Sequence, residues 1–271
     1  AESVMLSCQS ALAFQELQRL MEYTGDAAYA KFLGEEYVKL KDSINLAAWD
    51  GSWYARALSR KGNIGSKDST GSKIYLNAQT WAVLSGVAEE DRISQVLTAV
   101  DGMEQDFGFP LNMPPYQAYD PHVGRMSGML SGLFENGGVY CHATGFKILM
   151  DCKAGRASKA LETLKKIRPD SEKNPSARAG AEPYVFTNCY STHPGYYGKS
   201  YQSWTTGTSV WCMMGVYEGI MGVKRDYEGL RVDPCFPAEW EEAEVTRHFR
   251  GADYHIVVHN PGHLENGRGT V

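Results

Sequence analysis

The chain has 271 residues, 43% of them hydrophobic and 22% charged, which is the balance of a globular protein able to bury a large core. Its net charge of -5 gives no basic footprint, so nucleic acid is not an expected partner. No apolar stretch approaches the roughly 20 residues that span a bilayer, so a membrane is not expected either.

The six cysteines show no C-x-x-C pair and no regular spacing. A disulfide framework or a zinc site would need such a pattern. We therefore expect reduced, mostly buried thiols in a cytoplasmic protein, and no metal site.

The first predicted element begins almost at the first residue. The letters AESV at 1–4 lead directly into apolar residues at helical spacing from Leu6 to Met21. No initiator methionine or signal peptide precedes this helix, and the end of the chain at 265–271 looks equally arbitrary. We expect the chain to be a piece of a longer protein.

Helical periodicity then recurs in pairs. After the break at Gly25 and Asp26, apolar residues from Tyr29 to Ile44 step by three and four. Further helices are predicted over 78–87, 93–103, 144–154, 158–167 and 205–221. Short turns joining the members of a pair are typical of stacked αα-hairpins. The loops at 106–141 and 168–204 are much longer, and long loops on a packed scaffold usually carry function.

The pattern changes after Gly222. Residues 230–232, 245–250 and 254–258 alternate with period two between turns that contain proline or glycine, which predicts β-strands. The expected organisation is a helical region over 1–222 and a small β cap or sandwich over 223–271.

The densest polar cluster lies at 133–143, LFENGGVYCHA. Glu135 and Asn136 are candidates to bind sugar hydroxyls, and His142 is a candidate to donate to an anion from the start of a helix. The commoner situation for a lone histidine is a hydrogen-bonded core residue. In the loop at 182–188, Glu182 and Asn188 are either further sugar ligands or residues that pin the loop.

The stretch QSWTTGTSVW at 202–211 has more hydroxyls than a helix start requires. One serine or threonine side chain satisfies one free N–H at a helix start. Three threonines and a glycine before an apolar run suggest that the N–H groups and hydroxyls bind an outside anion.

Other patterns point to structure rather than chemistry. Asp50, in the run WDGSWY, is explained by a turn that leads into a short strand. An inverting hydrolase needs two carboxyl groups about 6.5–9.5 Å apart, and Glu135 and Glu182 are candidates whose separation the sequence does not give. Neither a GxSxG motif nor a phosphate-binding GxxxxGK loop is present.

An ordered set of motifs resembles one enzyme family. In chain order these are WDGSWYARA, LNAQTWAVLSG, FENGGVYCHA, EPYVF, SWTTGT, EGLRVDPCFPAEW and RHFRGADYHI. Together they resemble the C-terminal half of the inverting β-glycoside phosphorylases, which include cellobiose, chitobiose, cellodextrin and laminaribiose phosphorylases. The resemblance covers nearly the whole chain.

The resemblance implies a fold, a reaction and a site. The fold is an (α/α)6 barrel followed by a β-sandwich, and the reaction converts a β-linked disaccharide or oligosaccharide and phosphate into an α-sugar 1-phosphate. The threonine and glycine of W-x-T-G-T and the histidine after E-N hold phosphate in the family, which carries over to Thr206, Gly207 and His142. No cofactor is implied, because inorganic phosphate is a substrate, and the full-length protein is expected to be a homodimer.

The resemblance also implies that part of the site is missing. The family's general acid belongs to an Asp-Trp-Asn-Asp run, which is expected upstream of Ala1, so no catalytic residue is expected in this chain. The chain's own N-terminal half is then its expected partner. Two alternatives remain: a non-catalytic carbohydrate-binding remnant, and an inverting hydrolase on the same barrel.

Overall fold

A computed structural model describes residues 2–265, which form helical hairpins and small antiparallel sheets. The helices are α1 (Val4–Thr24), α2 (Ala27–Ala47), α3 (Leu76–Leu84), α4 (Glu90–Asp101), α5 (Cys141–Lys153), α6 (Ala157–Ile167), α7 (Ser176–Ala179) and α8 (Thr208–Met214). The strands are β1 (Glu2–Ser3), β2 (Ala57–Leu58), β3 (Ile74–Tyr75), β4 (Asn112–Met113), β5 (Val139–Tyr140), β6 (Thr187–Tyr190), β7 (Ser200–Ser203), β8 (Val223–Arg225), β9 (Leu230–Val232), β10 (Glu242–Phe249) and β11 (Ala252–His259).

The first helical hairpin shows why these helices begin and end where they do. The Ser3 side chain caps α1 by accepting from the backbone N–H of Leu6, and Asp26 caps α2 in the same way. Between them, Gly25 ends α1 in the left-handed conformation, with a φ of 86°. Glycine adopts that conformation without strain, so a two-residue turn suffices to reverse the chain.

Four helices form a row, in which α1 contacts α3, α3 contacts α5, and α5 contacts α8. Each of the first three also packs against the helix that follows it in sequence, namely α2, α4 and α6. The carboxyl ends of α3 and α5 meet, because Lys153 donates to the Leu84 carbonyl at 2.7 Å. The amino ends of α1 and α3 lie around one cavity, and further along α1 Gln15 donates to the Ser85 carbonyl after α3 at 2.6 Å. These three helices therefore run in the same direction, and their amino ends lie on the same side of the row. The predicted αα-hairpins are confirmed.

The core of the row is aromatic where α3, α5 and α8 meet. The Trp81 ring lies 5.2 Å from that of Phe146 and 6.2 Å from that of Trp211, centroid to centroid, both edge to face. Aromatic pairs in this geometry stabilise a core beyond their burial alone. No helix in the described part of the chain is both long and apolar enough to cross a bilayer.

The long loop predicted at 168–204 contains a part of a sheet. Strand β6 pairs with β5 on one side and β7 on the other, with Val139 opposite Tyr190 and Thr187 opposite Ser203. All four residues of β6 are buried, so the segment has no period-two alternation that would have marked it as a strand. The sheet fixes the 182–204 segment against the start of α5.

The predicted helix over 205–221 differs in detail. Helix α8 begins at Thr208 and continues over Gly215–Ile220 as a π-helical segment. Residues 205–207 stay outside the helix because the Thr206 side chain accepts from the N–H of Thr208, which forms a turn instead.

Beyond residue 222 the predicted strands are confirmed, as two hairpins. Strand β8 pairs with β9, and β10 pairs with β11, in separate two-stranded sheets. The apolar face of the second hairpin packs against Met221 and Phe236. Residues 266–271 of the predicted C-terminal region lie outside the described residues.

The cysteines are free thiols, as predicted. Five are buried, and Cys152 is half-buried. Burial raises the pKa of Cys8 and of Cys212 to about 12, so these two thiols are neutral and unreactive at physiological pH.

The predicted structural role of Asp50 is confirmed. Its Oδ1 accepts from the N–H groups of Ser52 and Trp53, each at 2.9 Å, and its Oδ2 accepts from that of Lys67 at 2.7 Å. One carboxylate therefore closes the turn and ties it to the loop at 59–71.

Asp50→Ala is expected to lower the free energy of unfolding by about 1–3 kcal/mol, because it leaves charge-assisted backbone hydrogen bonds unmade. Urea unfolding would measure the change. Asp42→Ala is the matched control, since Asp42 is exposed and on the outer helix α2, and its effect is expected within about 0.5 kcal/mol. Equal midpoints for the two variants would contradict the role assigned to Asp50.

Candidate active site

His142 is the second residue of α5, directly after the short strand β5. Its ring packs edge to face on Phe146 at 5.0 Å and stacks on Trp211 at 6.0 Å, between centroids. The ring forms no side-chain hydrogen bond to any residue within 2–265 and is half-buried. The alternative of a hydrogen-bonded core histidine is therefore not what the structure shows.

Gly207 faces the imidazole of His142 from the amino end of α8. A Cβ placed on Gly207 would lie 3.5 Å from Cε1 and 3.7 Å from Nδ1 of His142. The two residues are 65 positions apart in sequence and meet because α5 and α8 pack side by side. The structure thus brings together two of the three residues predicted to bind phosphate.

Thr206 lies next to this contact, but its hydroxyl already has partners. It donates to Oδ1 of Asn188 at 3.0 Å, lies 2.7 Å from the hydroxyl of Thr208 and accepts from the N–H of Thr208. The main-chain N–H groups of Thr206 and Gly207 form no hydrogen bond within the described residues. Those two N–H groups are free to donate to an anion. The Thr206 hydroxyl would have to turn away from Asn188 before it could do the same.

The electrostatics at the amino ends of α5 and α8 favour an anion. Burial lowers the pKa of His142, so the unliganded imidazole is neutral at pH 7 and offers one N–H. The amino ends of α5 and α8 add positive partial charge from their unpaired N–H groups. An anion bound beside His142 would raise the pKa of its imidazole again, and binding would then be coupled to proton uptake.

The turn FENGG at 134–138 contains Glu135 and leads directly into β5 and α5. Gly137 is left-handed with a φ of 85°, and a Cβ on Gly138 would lie 2.6 Å from the Phe134 carbonyl oxygen, so both positions require glycine. Glu135 lines a cavity of about 100 Å³ at the amino ends of α1 and α3, together with Arg56 and Asn77.

Asn136 anchors the same turn and does not reach a cavity. Its Oδ1 accepts from the N–H of Tyr116 at 2.7 Å, and its Nδ2 donates to the carbonyls of Tyr116 and Met129. Asn136 is completely buried. Both amide hydrogens are used by the backbone, so the prediction of Asn136 as a sugar ligand has no support in the geometry.

The structure places Glu182 on the loop that leads into β6 and Asn188 on β6 itself. Glu182 accepts from the indole N–H of Trp204 at 3.0 Å, and this hydrogen bond lowers the pKa of the Glu182 carboxyl. Asn188 is buried and joins Gln202 to Thr206 through its amide. Of the two alternatives for Asn188, the observed contacts are those of a residue that pins the loop.

The general acid predicted upstream of Ala1 lies outside the described residues, as does Ala1 itself. Glu2 lies in strand β1, which pairs with β2 opposite Leu58. The position of the acid therefore stays a prediction.

Sequence reasoning missed three residues near the site. Arg56 and Asn77 share the cavity of Glu135, and Trp204 lies exposed beside Glu182. All three fall within the quoted motifs, but nothing in the sequence separates them from core positions.

A second cavity, of about 320 Å³, lies between the loops 61–71 and 116–123, beyond the hydrogen-bonded hydroxyls of Tyr75 and Tyr116.

Within residues 2–265 no group of three or more His, Cys, Asp and Glu side chains is placed to hold a metal ion. The groups around His142 include N–H donors and hydroxyls, which can donate hydrogen bonds to an anion.

The sequence matches one protein family and several characterised proteins. Residues 1–222 match the glycosyl hydrolase 94 superfamily catalytic domain. The chain is 40% identical to solabiose phosphorylase of Paenibacillus borealis, over 98% of the chain and 35% of that protein. It is 38% identical to the 3-O-beta-D-glucopyranosyl-beta-D-glucuronide phosphorylase of the same organism, over 96% and 34%, and 32% identical to N,N'-diacetylchitobiose phosphorylase of Vibrio proteolyticus, over 98% and 34%.

The chain spans about a third of the length of these curated relatives. Two solved structures share its fold at low sequence identity. One is titled a sialidase, with a TM-score of 0.68, 11% identity, 98% of this chain and 24% of that chain covered. The other is an uncharacterised conserved protein from Thermus thermophilus, with a TM-score of 0.55, 13% identity, and 79% and 45% covered.

Proposed function

The chain belongs to the glycosyl hydrolase 94 superfamily, and on that premise we propose that the protein containing it is an inverting β-glycoside phosphorylase. Its substrates are a β-linked disaccharide or oligosaccharide and inorganic phosphate, and its products are an α-sugar 1-phosphate and a shorter sugar. The observation that supports this most directly is the imidazole of His142, which has no hydrogen-bond partner within residues 2–265 and faces Gly207 at the amino ends of α5 and α8.

The proposed reaction is a single displacement. A phosphate oxygen attacks the anomeric carbon, the C–O bond to the leaving sugar breaks, and a carboxylic acid protonates the departing oxygen. Phosphate is already an anion, so no general base is required, in contrast to hydrolysis by water. We place phosphate beside His142 and the main-chain N–H of Gly207, and a sugar near Glu135, with Arg56 and Asn77 as its neighbours. The general acid and further phosphate ligands are proposed to come from the protein's N-terminal half.

We also propose that the helix row is an arc of an (α/α)6 barrel. Large apolar side chains are exposed on the first and last helices of the row. They are Leu6 and Leu17 on α1, and Val210 and Met213 on α8. Such surfaces on a soluble domain usually face another packed element. The N-terminal half would cover them, with residues 1–222 in the barrel and residues from 223 in a separate β region. A homodimer in the cytoplasm is the proposed state of the full protein.

The test is the phosphate dependence of saccharide cleavage by the whole protein. We expect no cleavage of β-linked disaccharides without phosphate, and sugar 1-phosphate with the α configuration by NMR when phosphate is added. Saccharide cleavage at the same rate with and without phosphate would identify a hydrolase. Saccharide binding without turnover would identify a carbohydrate-binding remnant.

Gly207→Ala is expected to raise the phosphate KM about tenfold, equal to one lost charge-assisted hydrogen bond. The added methyl would make only ordinary contact with His142, at 3.5 Å, and the φ of Gly207 is -80°, so the fold should accept it. The methyl would lie against the imidazole and hinder a phosphate from contacting both His142 and the N–H of Gly207. Gly229→Ala is the matched control, because open space surrounds Gly229. A wild-type phosphate KM for Gly207→Ala would contradict the proposed position of phosphate.

A further inference from the structure

Two exposed aromatic rings lie side by side, Tyr184 on the loop before β6 and Trp204 directly after β7. Tyr184 is 74% exposed and Trp204 is 66% exposed, with ring centroids 6.5 Å apart and planes inclined by 71°. Aromatic side chains of this size are mostly buried in folded proteins. The two rings form an open corner, which we call the aromatic shelf together with Glu182.

Glu182 gives the aromatic shelf a polar edge. The indole N–H of Trp204 donates to Oε1 of Glu182 at 3.0 Å, which fixes the indole plane relative to the carboxylate. Because this hydrogen bond stabilises the ionised form, Glu182 remains a carboxylate at neutral pH and acts only as an acceptor.

The backbone that presents Trp204 is strained. Gln202 and Trp204 have φ values of 58° and 70°, in the left-handed region that side chains other than glycine rarely adopt. The conformation is held by Asn188, whose amide donates to Gln202 at 3.1 Å and accepts from the hydroxyl of Thr206 at 3.0 Å. The same amide therefore fixes the loop of Trp204 and the residue next to Gly207.

We propose that the aromatic shelf is a saccharide subsite, in which one sugar ring of the substrate stacks on Trp204 and its hydroxyls donate to Glu182. A pyranose has an apolar C–H face and a rim of hydroxyl donors, which match an indole face beside a carboxylate. The carboxylate disfavours a second anion, so this subsite is distinct from the one for phosphate. The proposal rests on the proposed function, since the ligand is the saccharide of that reaction.

The test compares substrate constants in the whole protein. Trp204→Ala is expected to raise the KM of the cleaved disaccharide about 10- to 30-fold, an effect typical of removing an aromatic anchor, while the phosphate KM stays within about twofold of the wild-type value. Trp204→Phe keeps an aromatic face without the indole N–H and should raise the saccharide KM by a smaller factor. Tyr254→Ala removes a partly exposed ring on β11 and is the matched control, with both constants unchanged.

A second measurement separates this proposal from the proposed function. Titration of the protein with the disaccharide in the absence of phosphate should change the tryptophan fluorescence of the wild type, and much less that of Trp204→Phe. That result without any phosphate-dependent cleavage would overturn the proposed function and leave the subsite standing. An unchanged saccharide KM in Trp204→Ala would overturn the subsite. So would an equal rise in both KM values, which would show that the indole only supports the loop.

Discussion

Lys147→Met is expected to lower the free energy of unfolding by about 3–5 kcal/mol, the usual cost of leaving one member of a buried ion pair without its partner. Neither Lys147 nor Asp151 has any exposed side-chain surface. The ammonium group donates to Asp151 at 2.6 Å and to Thr163 at 2.8 Å, and lies 4.2 Å from the centre of the Phe109 ring. The substitution would leave the buried Asp151 carboxylate with Arg156, 3.7 Å from its Oδ1, as its remaining cationic neighbour.

The directions of the pKa shifts agree with this expectation. Burial is the largest influence on both groups, lowering the pKa of Lys147 and raising that of Asp151. Desolvation therefore outweighs the mutual attraction for each group. The double variant Lys147→Met/Asp151→Leu should recover most of the lost stability, because it removes both charges.

Urea unfolding of the three proteins measures these differences. Lys39→Met is the matched control, because Lys39 forms an ion pair with Glu36 at the same 2.6 Å distance on an exposed face. Exposed pairs contribute about 0–1 kcal/mol. If Lys147→Met and Lys39→Met lower the free energy of unfolding by the same small amount, the buried pair stabilises the fold no more than an exposed pair and the expectation is wrong.

The ion pair also shows what the sequence can and cannot give. The helix that carries it was predicted over 144–154 and is observed over Cys141–Lys153. A lysine and an aspartate four residues apart are usually a pair on a solvated helix face. Their burial depends on Phe109 and on Thr163 of α6, which come from distant parts of the chain. Local periodicity therefore predicts the helix but not its surroundings.

The site divides in the same way. The surplus of threonines at 205–208 and the histidine at 142 were visible as patterns, and the packing of α5 on α8 brings His142 to Gly207. The burial of Asn136 was not visible, because its hydrogen bonds reach a loop 20 residues away at Tyr116. The exposure of Trp204 was not visible either, because a tryptophan before a helix start is more often part of the core.

Thr206→Val in the whole protein is expected to raise the phosphate KM about 10- to 100-fold, since hydrogen bonds to charged groups contribute roughly 1.5–3 kcal/mol. Valine keeps the shape of threonine but replaces by a methyl group the hydroxyl that would donate to phosphate once it turned away from Asn188. His142→Ala should act in the same direction, and more strongly, because bound phosphate would favour the charged imidazole. The disaccharide KM should change far less in both variants.

The observed contacts of Thr206 offer a competing explanation that the same variant tests. The hydroxyl caps the turn before α8 and bonds to Asn188, so a purely structural role predicts a loss of about 1 kcal/mol of stability with unchanged phosphate kinetics. Thr206→Ser keeps the hydroxyl and should preserve both properties. Phosphate KM and melting temperature measured on each variant separate the two roles. If Thr206→Val melts earlier while its phosphate KM equals that of the wild type, Thr206 does not bind phosphate.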